Sequence, residues 1–159
     1  NKNQIPQFIN KVKMALKTKD GQGPELKGKK LAVLGLAFKP DTDDMREAPS
    51  VRIISELIAL GAQVTAYDPK SMDNAKQILP DIDYAKNALD AIKDKDALLL
   101  VTEWSEFKEL DLAKVKALLK NPVIIDGRNI YDKEKAKSLG FAYYGVGRLK
   151  KKKSCRLLK

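Results

Sequence analysis

The 159 residues suffice for one ordinary domain and are too few for separate full-size cofactor and substrate domains. With 43% apolar and 33% charged residues, the composition supports a buried core and excludes wholesale disorder and a membrane bundle. Histidine is absent and cysteine occurs once, at Cys155. These two facts exclude triads, Cys/His dyads and zinc sites built from this chain alone, exclude an internal disulfide, and predict a reducing, cytoplasmic setting.

No apolar run reaches the roughly 18 to 20 residues of a membrane-spanning helix, and residues 1–10 lack the layout of a signal peptide. The net charge of +10 suggests a nucleic acid or a membrane surface as partner, but six of those charges lie in residues 149–159, leaving +4 for the other 148. The body is therefore a mildly basic domain, and 149–159 reads as a solvated, disordered tail or a remnant of cloning. Cys155 lies in that tail beside four lysines, where no pocket would hold a substrate.

In chain order, Ile5, Phe8, Ile9, Val12, Ala15 and Leu16 fall at helical spacing and predict an amphipathic helix. The run Asp20-Gly-Gln-Gly-Pro24 ends it, so residues 1–24 read as a connector whose partner surface is missing or dimeric, and 25–148 as the domain proper. Leu31 to Phe38 is a nearly continuous apolar run, the signature of a central parallel strand. Pro49 suits a helix start, Val51, Ile54, Leu57 and Ile58 form its apolar face, and Gly61 ends it. Strands follow at Gln63–Tyr67, Ala97–Thr102, Val123–Asp126 and Phe141–Val146. Between them lie helices at Met72–Leu79, Ala88–Ile92, Leu112–Leu119 and Lys133–Leu139. This alternation predicts an α/β fold: an open, mostly parallel sheet of about five strands with helices on both faces.

Such sheets bind ligands beyond the C-terminal ends of their strands, which here means the segments around Phe38, Asp68, Thr102-Glu-Trp104 and Asp126-Gly-Arg128. A dinucleotide-binding turn would carry Gly-x-Gly-x-x-Gly after the first strand, but only Gly35 is present. The domain therefore reads as Rossmann-like, with a first loop that has lost its cofactor glycines and gained Lys39. That lysine would neutralise a phosphate as a point charge or simply be solvated.

The acids Asp41, Asp43, Asp44 and Glu47 surround Arg46. They would cap the following helix and pair with Arg46, or bind a divalent ion without the spacing of a calcium loop. Arg46 is correspondingly a structural ion pair or an anion clamp. Arg128 would project over the sheet edge near Lys39, and two cations converging on one crevice suit an anionic ligand. Trp104 and Phe107 would stack on a base or pack under a loop.

The run Gly35-Leu-Ala-Phe-Lys-Pro-Asp-Thr-Asp-Asp-Met-Arg-Glu-Ala-Pro-Ser50 closely resembles the C-terminal domain signature of the UDP-glucose/GDP-mannose dehydrogenase family. Thr102-Glu-Trp-Ser-Glu-Phe107 and Asp126-Gly-Arg-Asn129 resemble its two later motifs, in the same order. The resemblance spans about residues 1–147 and is greatest to the UDP-glucose branch.

It implies a two-step, NAD-dependent oxidation of a nucleotide-sugar alcohol to a carboxylate through a cysteine thioester. The NAD domain, the cysteine and the assisting residues of that chemistry would precede Asn1, so these residues alone would be catalytically silent. It further implies that Phe38, Lys39 and Arg128 contact the UDP-sugar, that Arg46 reaches NAD held elsewhere, and that the full-length protein is a homodimer. A nucleic-acid-binding module, suggested by the charge, lacks a basic stripe and stacking aromatics in the body. A freestanding interaction domain that kept the fold and lost the site is the remaining alternative, opposed by the presence of Lys39 and Arg128.

Overall fold

A computed structural model describes residues 4–16 and 25–146. The predicted boundary at 20–24 and the basic tail with Cys155 lie outside the described residues. Six parallel strands form one sheet: β1 (Lys30–Leu34), β2 (Gln63–Tyr67), β3 (Asp83–Tyr84), β4 (Ala97–Leu100), β5 (Val123–Asp126) and β6 (Ala142–Gly145). Their order is β3-β2-β1-β4-β5-β6, the doubly wound arrangement with its switch point between β1 and β4. Every pairing among them is parallel.

The two central strands are buried on both sides: Leu31, Ala32, Val33 and Leu34 in β1 and all four residues of β4 have no exposure. Alternation along them separates two cores. Leu31, Val33 and Leu99 belong to one, and Ala32, Leu34, Leu98 and Leu100 to the other. The first core is closed by α1 (Gln4–Leu16), α2 (Pro49–Ala59) and α3 (Met72–Ile78). The second is closed by α4 (Ala88–Ile92), α5 (Ser105–Lys108), α6 (Leu112–Leu118) and α7 (Lys133–Ser138).

Local chemistry accounts for the helix ends. Pro49 opens α2, the Asn87 side chain accepts the N–H of Asp90 at the start of α4, and Asp111 accepts that of Ala113 at the start of α6. The expected acidic cap of α2 does not form, because its N-cap is Ala48 and no side chain bonds there.

Two elements escaped the sequence pattern. The sixth strand, β3, has two residues bonded only at the sheet edge, too short for any periodicity to show. Likewise α5 is a single turn. The amphipathic first helix needs no outside surface to cover its stripe: Phe8, Ile9, Val12 and Leu16 are all buried against α2 and the β5 side of the sheet. Among the described residues, no helix is long and apolar enough to cross a membrane.

Candidate functional site

The exit of β1 is built around Gly35. Its φ of +100° favours glycine, and a Cβ there would meet the Thr102 side chain at 2.5 Å. The next two residues are pinned from every side. Asp68, fully buried at the end of β2, accepts the N–H of Leu36 at 2.7 Å and of Ala37 at 3.2 Å. The Leu36 carbonyl accepts from Ser50 Oγ and the Ala37 carbonyl from Thr102 Oγ1. In a dinucleotide-binding fold these turn amides face a pyrophosphate. Here those amides are taken by a carboxylate of the chain itself, so the turn does not offer them to the pyrophosphate of NAD. With its backbone committed, the loop presents Phe38 outward, 53% exposed.

The exit of β5 is organised by a second buried carboxylate. Asp126 accepts the N–H of Arg128 at 3.1 Å, the N–H of Tyr131 at 3.0 Å and the hydroxyl of Tyr143 at 2.6 Å. Tyr131 in turn donates to the Phe107 carbonyl, and its own acidity is suppressed by burial and by the nearby Asp126. Asn129 takes a left-handed conformation, φ 55°, and its side chain clamps Val146 by accepting its N–H and donating to its carbonyl. The loop therefore holds Arg128 in place at the head of the strand.

Between these exits lies a cleft of about 1050 Å³ at the switch point of the sheet. Leu100, Val101 and Gly127 line its base, Phe38 and Arg128 its two sides, and Phe8 of α1 closes it. A Cβ at Gly127 would come within 2.8 Å of the Leu100 carbonyl and 3.0 Å of the Phe8 ring, which is why glycine stands there. Two residues in the disfavoured left-handed region, Glu47 and Asn129, line the cleft, and Asp41 lies in the loop that leads to it.

Arg128 does not enter the cleft as a free cation. Its Nε donates to Glu103 Oε1 at 2.7 Å and its Nη2 to Oε2 at 3.0 Å, a two-point pair with both side chains partly exposed. The hydrogen bonds from Arg128 hold the Glu103 carboxyl below its usual range.

The four residues singled out from the sequence do not all meet. Phe38 and Arg128 share the cleft. Lys39 is exposed and is not among the lining residues. Arg46 lies on a neighbouring groove beside α3 that shares Met45 and Ile78 with the cleft, and there its Nε and Nη2 bond Asp44 at 3.0 Å each. That hydrogen bonding lowers Asp44 to about 2 and raises the guanidinium pKa. Of the two readings of Arg46, the ion pair is formed. Trp104 and Phe107 are core residues, Phe107 meeting Tyr67 edge-on at 6.2 Å. Among the described residues no group of three or more carboxylates or thiols is placed to hold a metal.

Sequence reasoning passed over three participants: Asp68 as the loop anchor, Glu103 as the partner of Arg128, and Phe8 as a wall from the first helix. An acid at or within three residues of the end of each of β2, β4 and β5 was the available signal, but its partners are separated by 25 residues or more in two of the three cases.

Comparison with known proteins gives a consistent answer. Residues 32–133 match the UDP binding domain of the UDP-glucose/GDP-mannose dehydrogenase family. The UDP-glucose 6-dehydrogenase TuaD of Bacillus subtilis is 48% identical over 124 residues, 77% of this chain and 27% of that protein. The UDP-glucose 6-dehydrogenase of Rickettsia conorii is 42% identical over 149 residues, 92% of this chain and 33% of that protein. The structure of an NDP-N-acetyl-D-galactosaminuronic acid dehydrogenase from Methanosarcina mazei superposes with a TM-score of 0.76 at 30% identity, covering 91% of this chain and 29% of that one. The chain thus spans about a third or less of the proteins it matches, in each case. On the family match, the parallel six-stranded fold and the ordered motifs at its strand ends, this chain belongs to the UDP-glucose/GDP-mannose dehydrogenase family, of which it carries the UDP binding domain.

Proposed function

We propose that this domain binds the nucleotide end of UDP-glucose for a UDP-glucose 6-dehydrogenase, with Phe38, Lys39 and Arg128 as its ligand contacts. The observation that carries this reading is the pairing of a closed dinucleotide turn with an open cleft on the other side of β1. Asp68 takes the turn amides of Leu36 and Ala37, while Phe38 and Arg128 flank the cleft at the switch point. A flat apolar ring beside a guanidinium suits a nucleobase and its sugar. Lys39, next in sequence to Phe38 and exposed, suits the phosphates that leave the cleft.

Binding remote from the reacting carbon contributes positioning. Holding the diphosphate fixes the sugar alcohol against its oxidant and removes part of the entropic barrier. The oxidation itself, with NAD as hydride acceptor, belongs to parts of such an enzyme outside these 159 residues. Arg46, on the outer groove, is the residue proposed to meet that cofactor. A homodimer of the full-length protein, working in the cytoplasm, completes the reading. The experiment is titration of the chain with UDP and with GDP, followed by Lys39→Ala in the full-length enzyme. Preferential UDP binding and a Michaelis constant for UDP-glucose raised about tenfold, as loss of one charge-assisted hydrogen bond requires, support it. Equal affinity for GDP would move the assignment to a sister nucleotide-sugar dehydrogenase.

A further inference from the structure

Among the described residues, the charged ones that line the cleft are Glu47, Arg52, Glu103 and Arg128, two acids against two bases. Arg52 is itself engaged by Glu56 through its Nε at 2.8 Å. A cleft built to hold phosphate would carry an excess of positive charge, yet Lys39 and Arg46 both lie outside this lining. The balance turns on Glu103. A guanidinium has five N–H donors, and Glu103 takes two of Arg128's, leaving three on Nη1 and Nη2.

We infer that Glu103 is a positioning and specificity residue: paired with Arg128, it turns that guanidinium from an anion clamp into a directional donor for a neutral carbonyl- or hydroxyl-bearing group. On the nucleotide reading above, which this inference deepens, that group is the nucleoside end of the ligand, and the phosphates are left to Lys39 outside. Three physical points support it. The pair occupies the Nε/Nη2 edge of the guanidinium, so the Nη1/Nη2 edge is held in one direction at little further entropic cost. The adjacent carboxylate repels an incoming phosphate and leaves a neutral acceptor unaffected. The Asp126 network holds the Arg128 backbone from below, so the side chain is set from both ends.

The test titrates the 159-residue chain separately with uridine, inorganic pyrophosphate and UDP, followed by NMR, in wild type, Glu103→Gln and Glu103→Asp. Glu103→Gln keeps the shape and one acceptor oxygen but removes the charge. It should weaken uridine several-fold and tighten pyrophosphate about threefold at low salt. Glu103→Asp keeps the charge but withdraws it, and should weaken uridine while leaving pyrophosphate unchanged. In an Arg128→Met background, Glu103→Gln should no longer weaken uridine, because that effect acts through Arg128, while the direct relief of pyrophosphate repulsion remains. Equal weakening of both probes, no change in either, or a loss of uridine affinity that persists without Arg128 would overturn the inference. Failure of the wild type to bind UDP or uridine at all would instead remove the nucleotide reading on which it rests.

Discussion

The Asp68 carboxylate and the backbone N–H of Leu36 lie 2.7 Å apart across 32 residues of sequence, and through this bond the loop after β2 fixes the loop after β1. The same carboxylate also accepts the N–H groups of Ala37, Lys70 and Ser71, so one buried acid satisfies four backbone donors. Its charge is met by amide dipoles, as an anion is met at a helix start.

Replacing it should therefore be costly. Asp68→Ala leaves those four donors without their acceptor and should destabilise the domain by about 3 kcal/mol, read as a lower urea midpoint. Asp68→Asn retains one acceptor oxygen and should fall between that variant and wild type. A wild-type midpoint for Asp68→Ala would show that the loop is held by other contacts.

At Gly127 the constraint is steric. Its ideal Cβ would lie 2.8 Å from the Leu100 carbonyl and 3.0 Å from the Phe8 ring, so backbone or helix must shift. Gly127→Ala should cost about 1–3 kcal/mol, as overpacking does, and should speed hydrogen exchange in α1 before other helices. Unchanged exchange in α1 would mean that the helix is not seated on this glycine.

Phe38 has the opposite character. With its side chain 53% exposed, it contributes little to the core, and Phe38→Ala should leave the melting temperature within about a degree. If it stacks on a base, the same change should weaken UDP binding about tenfold, since base–aromatic contacts are worth about 1–3 kcal/mol. A loss of stability with unchanged affinity would reverse its assigned role.

Asp44 titrates at about 2 against an ordinary 3.8, because Arg46 hydrogen-bonds its carboxylate through side chain and backbone. Its folded-state pKa lies below the unfolded one, so the pairing is complete above about pH 4 and is lost as the pH falls through about 2. A carbon-detected NMR titration of Asp44 should show that low midpoint, and Arg46→Ala should return it toward 3.8. The Arg46 side chain is 89% exposed and that of Asp44 35%, so the effect of the pair is on the loop and should shrink in high salt.

Much of this molecule was legible in one dimension. Apolar runs such as 31–34 and 97–100 announce central parallel strands, because a strand covered on both faces must be apolar at every position. Proline at 49 and the glycine at 61 bracket a helix for reasons internal to their own backbones. The single Gly35 where a dinucleotide turn would need three already argued against cofactor binding at that turn.

What only the tertiary structure decided are the pairings between residues far apart in the chain. Lys39 and Arg128 were expected at one crevice; Phe38 and Arg128 line the cleft, and Lys39 is exposed outside that lining. Arg128 was expected to project over the sheet edge toward an anionic ligand, and the structure adds a partner, Glu103, which β4 places at the next strand end. The first helix was expected to seek an outside surface and instead covers its own sheet. Periodicity and turn chemistry are properties of neighbours along the chain, and so the sequence by itself determined the elements and their order. Which carboxylate meets which amide or guanidinium depends on the lateral order of strands, and that is established only when the sheet closes around its core.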